Sequence, residues 1–268
     1  MDFEQISKID DDFERNEVLY NFFNEDERLK SAWGKIEKIT TLREIEELVN
    51  SESKVLDVGA ATGVYSIPMS SKVKEVVAIE PSSNNFKILE SKIKELGIKN
   101  ILALNKSSMD MGELEDKSFD LVLLFGPMYH LSEEKDRVFT LGQAKRVLKD
   151  KGHILVAFIN HDMVPIIETM NNPNFFTRES YDPTSQRLVN RPFIFFTLAE
   201  CVDMLENSGL MVEKKIATDG LSELLASKIN EMSGAAYKNY IEWHLAHCEK
   251  EELLGASSHF LFVCKKGD

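Results

Sequence analysis

The chain has 268 residues, of which 43% are hydrophobic, and a formal net charge of −13 at pH 7. This length suffices for one large domain or a domain with a cap, and the negative charge argues against nucleic acid as a partner, because nucleic-acid-binding proteins usually carry a basic surface. No apolar run approaches the roughly 20 residues of a membrane helix, and the acidic N-terminus has no apolar signal region. The three cysteines, Cys201, Cys248 and Cys264, are widely spaced, so we expect no disulfide framework and a reduced, cytoplasmic location.

Residues 1–50 are predicted to be helical, and short apolar runs then alternate with helices. One of these helices begins at Ser82 or Ser83 and ends at Gly97, with a buried stripe that includes Leu89 and Leu96. Strands that are apolar throughout and separated by helices indicate a parallel sheet covered on both faces, so we predict an α/β fold. The predicted strands are 55–59, 75–80, 100–105, 119–125, 152–159, 210–217 and a last strand within 257–266.

The pattern divides the chain into four parts. Residues 1–50 are expected to form an N-terminal helical lid, and 51–160 the ligand-binding core. Residues 161–196 contain four prolines and are expected to form an irregular insertion. Residues 197–268 are expected to complete the core sheet, with a helical cap insertion at about 219–256.

The loop after the first strand, in the segment KVLDVGAATGVYSIP (54–68), lies where parallel sheets bind ligands. A dinucleotide fingerprint counted from Gly59 needs glycines at positions 61 and 64, but these are Ala61 and Val64. A phosphate-binding P-loop also fails, because no Gly-Lys-Ser/Thr follows. The spacing that fits is an acid, two glycines and a small residue between them, provided by Asp57, Gly59, Ala61 and Gly63.

This spacing resembles motif I of the S-adenosylmethionine-dependent methyltransferases, and the match extends over residues 54–159. The chain as a whole, through segments such as GPMYHL and WHLAHCEKEELLGASSHFLFVCKK, resembles a largely uncharacterised group of bacterial small-molecule methyltransferases. The resemblance implies S-adenosylmethionine as cofactor. It also implies a Rossmann-like, mostly parallel seven-stranded sheet with an antiparallel last strand, and a helical cap.

The resemblance also implies a cofactor site at the carboxyl ends of the strands. Glu80, 23 residues after Asp57, ends the second strand, where an acid accepts hydrogen bonds from both ribose hydroxyls. The acid at Asp57 is expected to favour the ammonium and sulfonium charges, directly or through water. Ser108 and Met109 are candidates for the adenine contact, and otherwise form an ordinary turn. The predicted cofactor-binding residues are Asp57, Gly59, Ala61, Gly63, Glu80, Ser108, Met109, Phe125 and Gly126.

The acceptor is expected beyond the fourth strand, where Met128, Tyr129 and His130 follow. His130 is the predicted catalytic base, needed only if the acceptor must lose a proton; the alternative is that it merely fixes the turn before Ser132. His161, after the fifth strand, is a candidate base or acceptor contact, or a solvated loop residue.

The predicted cap and the N-terminal region contain further candidate site residues. His244, a candidate acceptor contact, could form a metal site with Cys248 and His259, but packing on the inner face of the cap is favoured and no metal is predicted. In the N-terminal region, a helical frame holds Tyr20, Glu25 and Arg28. By the resemblance, Tyr20 or Arg28 is a candidate for the cofactor carboxylate, the alternative being a solvated helix face.

These patterns predict a methyltransferase that acts on a small-molecule oxygen or nitrogen acceptor. The place where nucleic-acid N-methyltransferases carry [ND]-P-P-[YF] reads FGPMYH, which agrees with the acidic charge. The alternatives are a non-catalytic sensor of S-adenosylmethionine or S-adenosylhomocysteine and, less favoured by the glycine spacing, a nicotinamide oxidoreductase.

Overall fold

The apolar strands form one central sheet in a computed structural model that describes residues 3–22, 28–189 and 192–267. In chain order the strands are β1 Lys54–Val58, β2 Glu75–Ile79, β3 Ile101–Leu104, β4 Phe119–Leu124, β5 Leu148–Asn160, β6 Tyr181–Asp182, β7 Arg187–Leu188, β8 Phe195–Phe196, β9 Leu210–Ala217 and β10 His259–Lys266. The helices are α1 Phe3–Ile6, α2 Asp12–Phe22, α3 Gly34–Leu48, α4 Ser66–Ser70, α5 Ser83–Glu95, α6 Pro127–His130, α7 Glu134–Val147, α8 Val164–Asn171, α9 Leu198–Asn207, α10 Ala226–Asn230, α11 Gly234–His247 and α12 Glu251–Leu254.

Seven strands of the sheet run in the order β3-β2-β1-β4-β5-β10-β9. The first five are parallel, and β10 is antiparallel to both β5 and β9. The predicted α/β fold with an antiparallel last strand is therefore confirmed. The two-residue strand β8 adds to the end of β5, and β6 and β7 form a separate small hairpin.

The sheet is covered on both faces, which explains why its central strands lack polar alternation. Along β4, Val122 and Leu124 join one apolar cluster, whereas Leu121 and Leu123 join the other. Helices α7 and α9 contribute to the first cluster, and Ile45 of α3 contributes to the second. Among the described helices, none is both long and apolar enough to cross a membrane.

The local signals for α5 are largely confirmed. Ser82 is the N-cap and accepts a hydrogen bond from the Asn85 amide, and Gly97 follows the helix with a φ of +65°, a conformation that favours glycine. Leu89 is fully buried as expected. The prediction for Leu96 is wrong, because this residue lies at the end of the helix and is 63% exposed.

The regions outside the strands pack in two places. Helix α3 covers one face of the sheet, and α11 lies beside it, where the Tyr237 hydroxyl donates to the Ala32 carbonyl. Helix α2 instead reaches the loop after β4 and contributes to the cavity described below. Part of the expected lid thus belongs to the core layers and part to the ligand-binding edge.

Candidate functional site

A cavity of about 880 Å³ lies at the carboxyl ends of β1, β2, β4 and β5. This volume is at the upper end of the range of about 300–1,000 Å³ for small-molecule sites, so the cavity can hold more than one small ligand. Of the predicted site residues, those that line it are Gly59, Ala61, Glu80, Ser108, Phe125, Gly126, Tyr129 and His130. Residues from α2, from the insertion after β5 and from the start of β10 complete the wall.

The loop after β1 is folded tightly against the neighbouring strand ends. Its first two amides, of Gly59 and Ala60, both donate to the Ile79 carbonyl at 2.9 and 3.0 Å. Gly59 has a φ of +85°, and a Cβ there would lie 2.7 Å from the Phe125 carbonyl oxygen. Ala61, where the motif usually has glycine, also adopts a positive φ of +47°. The loop therefore needs small residues to approach both β2 and β4.

The other two glycines of the site differ in what they face. Gly63 has a φ of +88°, and a Cβ there would collide with Leu89 and Ile67 side chains at 2.7 and 2.8 Å. Gly63 therefore serves the packing of the loop on α5 and does not line the cavity. Gly126 has a φ of +143°, and the nearest atom to a Cβ there is 3.7 Å away. A Cβ there would make ordinary contact with the His130 ring, so the positive φ is what favours glycine at this cavity-lining position.

Glu80 is buried at the end of β2 and faces the cavity. Its two carboxylate oxygens accept hydrogen bonds from the amides of Ser82 and Ala61, both at 2.8 Å. Burial raises its pKa to about 7, although these two amides oppose the shift. The Asn85 side chain also contacts the carboxylate, and since each oxygen has two lone pairs, it can still accept a hydrogen bond from a ligand hydroxyl.

Asp57 lies behind the loop and does not line the cavity. One carboxylate oxygen accepts a hydrogen bond from the Ser66 hydroxyl at 2.6 Å, and the other, Oδ1, has no partner among the described residues. Burial raises its pKa to about 6. Asp57 contacts Ser66 and does not reach the cavity directly, so it positions the loop, and the expected contact with the ligand charges through water stays a prediction.

The segment after β3 contributes in part. Ser107 and Ser108 line the cavity, but Met109 points away, with its sulfur 3.6 Å from the Thr140 hydroxyl. The predicted adenine contact of Ser108 is compatible with this placement. That of Met109 is not, because its thioether packs against α7.

His130 lines the cavity but both of its ring nitrogens are enclosed. Nε2 lies 2.7 Å from the Tyr20 hydroxyl, and Nδ1 is buried without a hydrogen-bond partner among the described residues. The ring packs against Tyr129 and Phe193, with centroids 4.9 and 5.4 Å apart. Burial, reinforced by the charge of Arg15, lowers the pKa of His130 to about 3. His130 is therefore neutral near pH 7, and Tyr20 stands between its Nε2 and any acceptor.

Helix α2 is attached to this loop by hydrogen bonds from an ion pair within the helix, a contact that the sequence did not reveal. Arg15, with no exposed surface, pairs with Asp12 and donates to the Ser132 hydroxyl at 2.8 Å and the His130 carbonyl at 3.3 Å. Asp12 in turn accepts from the Ser132 amide at 2.8 Å. These contacts place Tyr20 against His130.

Two of the predicted acceptor contacts are not supported by the structure. Met128 is fully buried in the core cluster beneath the cavity. His161 is buried against the insertion, where its Nδ1 contacts Asp162 at 2.9 Å and its Nε2 accepts from the Leu188 amide at 3.1 Å. His161 therefore anchors the β7 segment and is neither solvated nor directed at the cavity.

The third, His244, is also placed elsewhere. Its Nε2 lies 3.1 Å from both the Thr40 hydroxyl and the Thr218 carbonyl, because α11 packs against α3 and not over the cavity. Cys248 instead lies against Arg43, 3.3 Å from its guanidinium. The trio of His244, Cys248 and His259 considered as a metal site is thus not assembled.

His259 instead belongs to a charged group that the sequence analysis missed. Its Nδ1 donates to Asp219 at 2.8 Å and lies 3.8 Å from Glu37; these three side chains have the spacing of a potential metal-ligand set. Arg28, which lines the cavity, pairs with Glu37 at 2.7 Å, so the two carboxylates are already matched by two cations. Glu25 lies outside the described residues.

Comparison with known proteins agrees with this geometry. Residues 55–152 match the family model described as a methyltransferase domain. An uncharacterised methyltransferase of Schizosaccharomyces pombe is 26% identical over 170 residues, 62% of each chain. The demethylmenaquinone methyltransferase of Lactococcus lactis is 26% identical over 166 residues, 61% of this chain and 60% of the relative. The chain thus spans about three fifths of the length of these curated relatives.

Solved structures share the fold at low sequence identity. An S-adenosylmethionine-dependent methyltransferase of Thermotoga maritima superposes with a TM-score of 0.56 at 16% identity, over 93% of this chain and 98% of that one. Geranyl diphosphate C-methyltransferase of Streptomyces coelicolor, solved with Mg²⁺, geranyl diphosphate and S-adenosyl-L-homocysteine, gives 0.55 at 12% identity, over 84% and 77%. The [4+2]-cyclase SpnF gives 0.56 at 14% identity, over 86% and 81%. In the sequence of residues 55–152 and in its fold, this chain is thus similar to S-adenosylmethionine-dependent methyltransferases.

Proposed function

We propose that this chain transfers a methyl group from S-adenosylmethionine to an oxygen or nitrogen atom of a small molecule. The observation that carries the proposal is that the loop after β1, Glu80 and the Phe125–Gly126 edge line one cavity that has room for a second ligand. The acidic composition agrees with a small-molecule acceptor rather than nucleic acid.

The chain's own residues suit this cofactor. Glu80 would hold the two ribose hydroxyls, and Ser107 and Ser108 would flank the adenine. Gly59 and Gly126, which both line the cavity, would place backbone beside the methionyl part. Asp57 would act through the loop that it positions. When bound, S-adenosylmethionine supplies an electrophilic methyl group on a sulfonium.

The protein's part in such a reaction is mainly alignment and exclusion of water. Tyr20 from α2 and Phe193 from the insertion line the cavity on its acceptor side, together with Tyr129. His130 was predicted to be the catalytic base, but its low pKa and enclosed nitrogens make direct proton removal inefficient. We therefore propose that His130 acts through the Tyr20 hydroxyl, which it holds in place.

A non-catalytic sensor remains the alternative, and the structure gives it no specific support. A sensor needs space for the cofactor alone, whereas this cavity extends from Glu80 to the aromatic residues and to the start of β10. The cyclase with the same fold shows that fold by itself does not determine the reaction.

The test is calorimetric titration with S-adenosylmethionine, S-adenosylhomocysteine and NAD. We expect saturable binding of the first two only. Glu80→Ala should weaken their binding about ten- to a hundredfold, since hydrogen bonds to a charged group contribute about 1.5–3 kcal/mol. Glu90→Ala, on the exposed side of α5, is the matched control and should bind as the parent does. Binding of NAD, or unchanged affinity in Glu80→Ala, would contradict the site.

A further inference from the structure

One wall of the cavity carries a second histidine that the mechanism above does not use. His259 begins β10, lines the cavity and keeps 23% of its side-chain surface exposed. Its Nδ1 is occupied by the Asp219 carboxylate at 2.8 Å. The nitrogen available to a ligand is therefore Nε2.

The ring is held rigidly by a fully buried carboxylate. Asp219 accepts hydrogen bonds from the Ser257 hydroxyl, from the His259 amide at 3.2 Å and from Nδ1 at 2.8 Å. A carboxylate that orients Nδ1 fixes both the tautomer and the direction of Nε2, as in other carboxylate–histidine pairs. This arrangement is more than a core histidine needs, because His244 is satisfied nearby by a hydroxyl and a carbonyl.

The two histidines of the cavity have opposite character. Burial lowers the pKa of His130 to about 3. Burial alone would also lower that of His259, but the carboxylates of Glu37 and Asp219 outweigh it and raise the pKa to about 9, against a smaller opposing effect of Arg28. Two titratable groups of one site whose pKa values are shifted in opposite directions indicate different roles for the two groups. Near pH 7, His130 is neutral, and His259 is a cation that can donate from Nε2.

We infer that His259, oriented by Asp219, recognises the methyl acceptor through an acidic oxygen, such as that of a phenol, an enol or a carboxylic acid. This inference rests on the proposed function and narrows its acceptor class. A protonated Nε2 offers a charge-assisted hydrogen bond to an oxyanion. An ammonium group of an acceptor would be repelled by this nitrogen, because both carry a positive charge.

Other parts of the cavity wall suit an apolar or aromatic body attached to that oxygen. The insertion supplies Phe175, Leu188, Pro192, Phe193 and Phe195, and α3 is preceded by Trp33. Contact with these side chains would provide binding energy, and the hydrogen bond from Nε2 would fix the orientation. The inferred acceptor is thus a small apolar molecule with one acidic oxygen.

Proton balance follows from the charge of His259. Because Nε2 already carries its proton near pH 7, the acceptor binds as its anion and its hydroxyl proton goes to water. Binding should therefore strengthen as the pH rises through the acceptor's own pKa. It should weaken again as His259 loses its proton above about pH 9. The groups that set this upper limit are Asp219, Glu37 and Arg28.

The experiment titrates the protein, saturated with S-adenosylhomocysteine, with benzoate and with benzylamine, two probes of similar shape and opposite charge. We expect benzoate to bind and benzylamine to bind at least tenfold more weakly. His259→Asn keeps a donor for Asp219 but removes Nε2, and should weaken benzoate binding at least tenfold. His259→Gln retains an uncharged donor, and its affinity for benzoate should lie between those of the parent and His259→Asn. In histidine-labelled protein, addition of benzoate should shift the ¹⁵N resonance of His259 Nε2.

His247→Gln, on the outer part of α11, is the matched control and should bind benzoate as the parent does. Equal benzoate affinity in the parent and His259→Asn, tighter binding of benzylamine, or no binding of benzoate would each overturn the inference. S-adenosylhomocysteine should bind His259→Asn as tightly as the parent, which also shows that the variant folds. If the parent protein does not bind S-adenosylhomocysteine, that result would instead contradict the proposed function.

Discussion

At the scale of single residues, Asp57 and Glu80 lie at the ends of adjacent strands, and burial disfavours the charged form of both carboxylates. Burial raises the pKa of Asp57 and Glu80 to about 6 and about 7. A buried carboxylate without a full set of donors destabilises the folded state. Glu80 has a ligand-binding reason for this position, because it lines the cavity. Asp57 has only Ser66 as a side-chain partner.

We therefore predict that Asp57→Asn stabilises the ligand-free protein as the pH rises. The pKa of Asp57 is raised from 3.8 to about 6 on folding, so the folded state binds more protons between these values and stability falls as the pH increases. Asparagine removes this fall. Urea unfolding should show a gain that is about 1 kcal/mol larger at pH 8 than at pH 5.

Asp203→Asn, an exposed change on α9, is the control for this measurement. It should leave the free energy of unfolding nearly constant at both pH values. The same gain at pH 5 and pH 8 in Asp57→Asn would show that folding does not raise the pKa of Asp57, because the carboxylate would then be charged in both states over this range.

At the scale of elements, the position of α2 decides whether the cavity is closed on the acceptor side. This helix has few apolar contacts with the sheet and is attached through Arg15, Asp12 and Ser132. A buried ion pair of this kind is strongly destabilised when one partner is removed. These polar contacts add to the burial of Leu19 on α2, whereas α3 is held by apolar packing on the sheet.

Arg15→Met should detach α2 while leaving the sheet folded. The loss leaves the Asp12 carboxylate without its guanidinium and should cost the docked helix about 3–5 kcal/mol. Hydrogen exchange followed by mass spectrometry should show faster exchange over 12–22 and little change in β1, β4 and β5. Arg187→Met removes an exposed pair with Glu200 and, as control, should cost at most about 1 kcal/mol. Equal protection of α2 in both variants would refute the attachment.

At the scale of the whole molecule, the cavity joins segments from Ser7 to Leu261. A ligand that binds there contacts segments that are distant in the sequence, and it finds them together only in the folded chain. S-adenosylhomocysteine at a hundredfold excess over its Kd should therefore add about 2.7 kcal/mol. For a chain of this length this corresponds to a rise in Tm of about 5 °C.

Scanning calorimetry would measure this shift, and NAD at the same concentration should produce none. We expect one transition to move as a whole, since the lining residues come from both ends of the chain. A shift confined to part of the transition would mean that the segments around the cavity unfold independently.

The sequence by itself determined the sheet and much of the cofactor edge. Apolar runs bounded by turn residues specify strands locally, so their order and the α/β class could be predicted. The glycine loop could be interpreted because backbone conformation and close approach impose residue types directly, as at Gly59. Glu80 could be identified because an acid after an apolar run is unusual without a partner or a ligand.

Only the tertiary structure decided what each histidine does. His130 meets Tyr20 across 110 positions of the chain, and His259 meets Asp219 across 40, so no local pattern records either contact. His161 and His244 lie next to motifs yet are satisfied by the Leu188 amide and the Thr218 carbonyl. The charge of an imidazole depends on burial and on carboxylates brought near by folding. For that reason residue types and spacing could locate the edge where ligands bind but not which of its side chains carry a proton.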